Sequence, residues 1–304
     1  MTAPVGGRLY VVATPIGNLG DVTLRALETL RAVPLIAAED TRLSRRLLGR
    51  HAIETRMVSF HARNAERKLP DLLDHLRSGA DLALVTDAGT PGVSDPGEEL
   101  VRAWAGEGGV VVPIPGASAV LAAVVVSGMA GPRWTFEGFL PRSGRGRRER
   151  LARIAADERG CVVYEAPGRV AATLGDLAAA CGAERPVAVC RELTKLHEEI
   201  VRGSLGDLAA AARDGELTLR GEFALVIGEW RAAASTSGVR PGGSPAVAAA
   251  SGAEGLGPDP EAEARARVEQ LVREGVARGD AARRIAAETG IPRRRLYGAP
   301  TTPD

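Results

Sequence analysis

Lysine is almost missing from this 304-residue chain: of its 39 basic residues only Lys68 and Lys195 are lysines, and the rest are arginines. Cysteine is scarce too. Cys161, Cys181 and Cys190 are odd in number and form no CxxC pair, which argues against a disulfide framework or a zinc site and for a reducing compartment. Aromatic residues make up 3%, too few for a platform of stacked bases. The longest apolar run, residues 117–129, is interrupted by Ser118 and Ser127 and falls short of the ~20 residues that cross a bilayer. Residues 1–7 lack the basic and apolar regions of a signal peptide. The expectation is a soluble, cytoplasmic protein with no membrane contact. Net charge is only +1, so any nucleic-acid role must come from local patches. There is no GxxxxGK[ST], and no GxGxxG follows the first apolar run, which disfavours a nucleoside triphosphate or a dinucleotide. His51, His61, His75 and His197 do not stand at metal-ligand spacing, and no metal is expected.

What is present is an alternation of short apolar runs with amphipathic stretches. Leu9–Thr14, Leu35–Ala38, Met57–Phe60, the run up to Val85, and Val110–Ile114 read as strands buried on both faces. Between them, Leu24, Leu27 and Leu30 mark a helix capped by Asp21. A basic helix runs to Leu48, a third helix covers residues 65–77, and a fourth covers residues 98–105. A small-residue helix starts at Ala117. Strands that alternate with helices predict a parallel sheet, and such sheets bind ligands beyond the carboxyl ends of their strands. Three loops rich in Gly and Pro fall at those ends: Pro15–Asp21, Asp87–Gly97 and Pro115–Ser118. Any one of them reads equally well as an ordinary turn; three on one rim point to a ligand. Glu39 and Asp40 end the second strand, where either carboxylate can accept a proton or hold a ribose hydroxyl. The plainer reading of both is the cap and first-turn acid of the following helix.

A second α/β series follows a boundary near residue 140. Cys161–Glu165 and Pro186–Lys195 read as strands, with residues 198–202 able to pair with the latter. Val170–Cys181 and Leu205–Arg213 read as helices, and Glu222–Ile227 closes the domain. The cysteines sit in these apolar segments and read as core. Residues 142–153 carry six arginines against Glu149 alone, either a solvated helix face or a phosphate contact through Arg142, Arg145, Arg147 and Arg148. In residues 232–260, 22 of 29 are Ala, Gly, Ser or Pro, a linker unable to bury enough apolar surface to fold alone. The expected domains are therefore 1–140, 141–231, the linker 232–260, and a helical module over 261–304. In that module Asp280 caps a helix, Gly290 ends it, and Pro292 opens another at Arg293, a helix-turn-helix outline. Its basic residues, Arg283, Arg284, Arg293, Arg294 and Arg295, are candidates for RNA contact.

The loop motifs carry a resemblance. Residues 13–21 (ATPIGNLGD), 38–42 (AEDTR), 85–97 (VTDAGTPGVSDPG) and 113–119 (PIPGASA) resemble those of the ribosomal RNA small subunit methyltransferase I family. So do residues 136–141, 164–169, 190–195 and 221–227. Members of this family are 2′-O-ribose cytidine methylases of the tetrapyrrole-methylase superfamily. The resemblance covers residues 8–230 and implies a two-domain fold binding S-adenosylmethionine, a target cytidine in the decoding region of 16S rRNA or the small ribosomal subunit, and a homodimer. It implies a cofactor pocket formed by Pro15, Asp87, Ala88, Gly89, Thr90, Ser118, Ala119, Tyr164, Glu192, Phe223 and Ala224. Because a ribose hydroxyl is a weak nucleophile, a base or cation beside it is expected, with Glu39, Asp40, Arg42, Glu192 and Lys195 as candidates. A tetrapyrrole methylase and a non-catalytic ribosome-assembly factor are the rival readings. The basic module argues against the first, the intact cofactor loops against the second.

Overall fold

The computed structural model describes residues 6–229 and 260–296; residues 232–259 of the expected linker and residues 297–304 lie outside them. Contacts divide the chain into two units. The first comprises the described residues up to Val126, Phe136–Phe139 and Arg191–Glu199; the second comprises Ser127–Thr135, Leu140–Cys190 and the described residues from Ile200 on. A single cut at residue 140 does not reproduce this division, because two short segments return to the first unit.

In the first unit β1 (Arg8–Val12), β2 (Leu35–Ala38), β3 (Met57–Ser59), β4 (Leu82–Val85) and β5 (Val110–Ile114) form one sheet in the order β3-β2-β4-β1-β5. Every pairing between them is parallel. The strands are uninterrupted apolar runs because both faces are covered. Alternate residues go to opposite sides: Ala83 and Val85 pack with Leu27 and Leu30 of α1 (Leu24–Ala32) and Leu48 of α2 (Thr41–Arg50). Leu82 and Leu84 pack with Leu72 and Leu76 of α3 (Ala65–Arg77) and with Leu100 and Trp104 of α4 (Glu98–Gly106). The Trp104 ring is fully buried and takes the room a side chain at Gly109 would need, since a Cβ there would stand 2.1 Å from the ring. Helix α1 is capped by the Thr23 hydroxyl, which accepts from the Ala26 N–H, rather than by Asp21. Asp21 instead ends a single 3-10 turn, Leu19–Asp21, capped by Asn18. The last helix of this group is α5 (Ala119–Ser127), apolar almost throughout.

The second sheet has the order β6-β7-β10-β8-β9, with β6 Trp134–Phe139, β7 Gly160–Glu165, β8 Pro186–Arg191, β9 Glu199–Ser204 and β10 Phe223–Ile227. β7 and β10 run antiparallel. Helices α6 (Gly144–Ala156), α7 (Val170–Cys181) and α8 (Leu205–Arg213) contribute to its core with all three cysteines nearby or within it. β8 stops at Arg191 instead of running to Lys195, because the chain turns through left-handed backbone at Glu192 (φ 51°) and Thr194 (φ 67°). Arg185 is 1% exposed, and its guanidinium donates to the carbonyls of Ile154, Asp157, Arg159 and Gly228. That full set of acceptors is what makes a buried cation tolerable.

The C-terminal helices α9 (Pro260–Arg273) and α10 (Arg278–Thr289) belong to this unit: Val268, Ala281, Ala282, Ile285 and Leu296 enter its core. Asp280 is not a cap. Ala277 stands at the start of α10, while Asp280 lies in its first turn and pairs with Arg283. Gly290 does end the helix, at φ 71°. The second basic helix of the expected helix-turn-helix is, over the described residues, one 3-10 turn, Arg293–Leu296.

Candidate cofactor and methyl-transfer site

The carboxyl ends of β2, β4, β1 and β5 stand side by side on one edge of the first sheet, so the three Gly/Pro loops meet. Thr14 and Gly89 exchange two backbone hydrogen bonds, 2.8 and 3.0 Å, tying the loop after β1 to the loop after β4. The Thr14 hydroxyl donates to the Thr86 carbonyl at 3.1 Å. Ala13 N–H donates to the Ile114 carbonyl at 3.0 Å, and the Thr90 hydroxyl donates to the Ala117 carbonyl at 3.3 Å, which binds in the loop after β5. Gly89, at φ 82°, is one glycine this arrangement requires. Pro15, Asp87, Ala88, Gly89, Thr90, Ser118 and Ala119 are thereby brought to one rim. Pro15 and Gly89 are buried and Asp87 and Ala88 exposed.

Carboxyl groups gather there. Glu39 accepts from the Asp87 N–H at 3.3 Å, and Asp87 accepts from the Asp40 N–H at 2.9 Å. Burial raises the Glu39 carboxyl above its ordinary range, and burial does the same to Asp87. Asp95 is pushed up to about 7, first by burial and then by the neighbouring Glu39 charge. Carboxyls crowded together, with Glu39 and Asp95 partly buried, have a cation as their natural complement. Asp95 went unmarked in the sequence; its only signal was the eight-residue spacing from Asp87 across a loop that glycines fold back. Asp40 behaves differently. It caps α2, accepting from the Arg42 N–H at 2.8 Å, and pairs with the Arg42 guanidinium at 2.7 Å. Those bonds hold its carboxyl down at about 2, a poor proton acceptor near neutral pH. The plain capping role is the one its geometry fills.

The segment Arg191–Glu199 belongs to the same unit and reaches the loop after β1. Lys195 lies against Gly17, and its ammonium donates to the Glu192 carboxylate at 2.9 Å. Both side chains are mostly buried, and Glu192 itself sits at positive φ. Left-handed non-glycine residues cost ~1–3 kcal/mol each and persist where the surroundings enforce them.

In the second unit Tyr164 and Ala224 are register partners on β7 and β10, as are Glu165 and Phe223. Phe223 is 5% exposed and its side chain belongs to the core, so any cofactor contact at Phe223 falls to the backbone. The basic stretch of α6 is divided by burial. Arg142, Arg145 and Arg148 are exposed. Arg147 is buried and donates to Asp176, to the Pro141 carbonyl and to the Thr173 hydroxyl, at 2.7–3.0 Å. Thr173 donates in turn to buried Glu165, which also pairs with Arg169. Arg147 is a structural staple rather than an RNA contact. Arg283, Arg284 and Arg295 are exposed, while Arg293 is mostly buried and pairs with Glu216, so it too is committed to the fold. The Arg294 side chain lies outside the described residues.

Among the described residues no helix is long and apolar enough to cross a membrane, and no group of three or more His, Cys, Asp or Glu is placed to hold a metal ion. Residues 8–209 match the model of the tetrapyrrole (corrin/porphyrin) methylases. A ribosomal RNA small subunit methyltransferase I of Synechocystis is 46% identical over 96% of this chain and 96% of its own length. One of Xylella fastidiosa is 41% identical over 96% and 98%. The fold also matches the uroporphyrin-III C-methyltransferase of Thermus thermophilus complexed with S-adenosyl homocysteine. The TM-score is 0.53 at 22% identity, covering 73% of this chain and 98% of that one. With the loops, the rim and these relatives in agreement, the chain belongs to the ribosomal RNA small subunit methyltransferase I family of the tetrapyrrole methylases.

Proposed function

We propose that this protein transfers a methyl group from S-adenosylmethionine to the 2′-hydroxyl of a cytidine in the decoding region of 16S rRNA, acting on rRNA or the small ribosomal subunit in the cytoplasm as a homodimer. The observation that carries the reading is the rim itself, three interlocked loops beside the crowded Glu39, Asp87 and Asp95 carboxyls. These acids suit a ligand that carries both a sulfonium and an ammonium charge, and the backbone groups of residues 87–90 suit its uncharged parts. When bound, the cofactor supplies a methyl carbon already activated by its sulfonium.

In the reaction a carbon–oxygen bond forms as the carbon–sulfur bond breaks, and the hydroxyl proton must leave. Positioning lowers much of the barrier, by up to ~7–11 kcal/mol in favourable cases. The ammonium of Lys195, held by Glu192 over the loop after β1, stabilises the developing negative charge on the ribose oxygen. Glu192 takes the proton. Asp40 and Arg42 orient the loop around Asp87. Exposed Arg142, Arg145, Arg148, Arg283, Arg284 and Arg295 supply phosphate contacts whose strength falls with salt. The names of the relatives favour this reading over a tetrapyrrole substrate.

Incubating small subunits with labelled S-adenosylmethionine tests it. Label should appear in 16S rRNA at one nucleotide whose 3′ linkage resists alkali, the mark of a blocked 2′-hydroxyl. Label on a base, or on a tetrapyrrole alone, overturns the reading.

A further inference from the structure

Residues 192–198 join β8 to β9, its neighbour in the second sheet, and this short connection is held in an unfavourable shape. Among the described residues four non-glycine positions have left-handed backbone, and two of them, Glu192 and Thr194, lie here. Thr194, at φ 67°, is β-branched, the kind of residue for which that region is a true outlier. Its Oγ1 is also fully buried without a hydrogen-bond partner, a second unfavourable feature. Strain of this kind persists only where the surroundings over-determine the backbone. Here they do. Arg191 and Glu199 pair across the base of the turn at 3.0 Å. Lys195 N–H donates to the Glu192 carbonyl at 2.9 Å, and Glu198 N–H donates to the Lys195 carbonyl at 3.1 Å. The Glu198 carboxylate completes the set, accepting from the Thr194 N–H at 2.7 Å.

That last contact grips the strained residue itself. Glu198 is exposed, yet its carboxylate turns back onto an N–H of its own turn. A charged acceptor makes a hydrogen bond roughly twice as strong as a neutral one. Thr194 immediately precedes Lys195, so the backbone angles at Thr194 set the direction in which the lysine stem leaves. We propose that Glu198 is a positioning residue for the reaction. By clamping Thr194 in its left-handed conformation, it lays the Lys195 stem against Gly17 and brings the ammonium to Glu192. Glu198 acts through Lys195, not on the substrate. The inference rests on the role given to Lys195 above.

The scarcity of lysine makes the clamp readable without turnover. In full-length protein labelled with carbon-13 at lysine Cε, Lys68 and Lys195 give the only two lysine signals, and Lys68→Arg assigns them. Glu198→Ala should move the Lys195 signal toward that of free lysine and leave the Lys68 signal in place. Its kcat on small subunits should fall about 10–100-fold, the scale of an ångström of misplacement. KM, affinity for S-adenosylhomocysteine and melting temperature should stay near wild type. Glu198→Gln keeps an acceptor oxygen and should retain most of the rate. Adding Thr194→Gly to Glu198→Ala should recover most of the loss, because glycine takes positive φ without strain. In a Lys195→Ala background, Glu198→Ala should cost nothing further. A Lys195 signal unmoved by Glu198→Ala overturns the proposal. So does an equal loss of rate in Glu198→Gln and Glu198→Ala, no recovery with Thr194→Gly, or a loss that adds in full to that of Lys195→Ala. Failure of the underlying reading looks different: Lys195→Ala would then methylate at the wild-type rate, or wild-type protein would leave the ribose unmethylated. In that case the lysine signal alone decides the clamp.

Discussion

Gly17 leaves room for Lys195: a Cβ built on the glycine would stand 2.4 Å from Cγ of the lysine and 2.8 Å from its Cε. The loop after β1 and the turn at residues 192–198 are thus fitted to each other through one missing side chain. One of the chain's two lysines is held there, with its ammonium fixed by Glu192.

Replacing Gly17 with Ala should displace the lysine stem, a flexible neighbour, without unfolding the protein. The expected result is a fall in kcat with S-adenosylhomocysteine affinity and melting temperature near wild type. Lys195→Ala should lower kcat by ~10²–10⁴-fold, the range for a lost proton-transfer or charge-stabilising group, with Lys195→Arg recovering part of it. Single-turnover methylation at saturating cofactor is the measurement. Wild-type rates in both Gly17→Ala and Lys195→Ala would remove Lys195 from the site.

Asp40→Asn should leave the methylation rate near wild type. Asparagine caps helices as well as aspartate does, and a carboxyl held at about 2 has little to offer as a base at neutral pH. A large loss of kcat, with the helical content preserved by circular dichroism, would restore Asp40 as the proton acceptor.

The Asp95 carboxyl makes stability depend on pH. Its native value, about 7, lies above the ordinary 3.8, so the native state holds this proton more tightly than the unfolded chain does. Its contribution is unfavourable above about pH 7, where the buried group must ionise. That contribution fades as pH falls and vanishes below the unfolded value. Asp95→Asn should therefore raise the melting temperature at pH 8 by roughly 2–4 °C, corresponding to about 1 kcal/mol after allowance for solvent screening. The gain should disappear at pH 4. An equal gain at both pH values would show that charge is not the cause.

Two adjacent arginines of α6, Arg147 and Arg148, should behave oppositely. Arg147→Ala removes a buried guanidinium, breaking its pair with exposed Asp176 and its bonds to Thr173 and the Pro141 carbonyl, and should destabilise the protein by about 1–3 kcal/mol, the scale of buried hydrogen-bonding groups left unpaired. Arg148→Ala should leave stability unchanged and weaken subunit binding, reducing the slope of log affinity against log salt by about 1. Denaturant melts and filter binding across salt concentrations separate the two.

The local pattern of residues marked the strands of the first unit and most elements of the second, β6 excepted: short apolar runs between helical stretches fit strands covered on both faces, and Leu72, Leu73 and Leu76 at helical spacing face a core. It also marked the loops that the fold gathers on one rim, because Gly and Pro at strand ends are local signals. Tertiary structure decided what depends on distance through space. Arg147 and Arg148 are neighbours of one type in sequence, yet burial against α7 separates staple from surface. Asp40 and Asp95 are both plain acids in the sequence, yet a guanidinium holds the first down while burial lifts the second. The strand expected through Lys195 ends at Arg191 because left-handed backbone at Glu192 and Thr194, which no side-chain pattern announces, turns Lys195 toward Gly17.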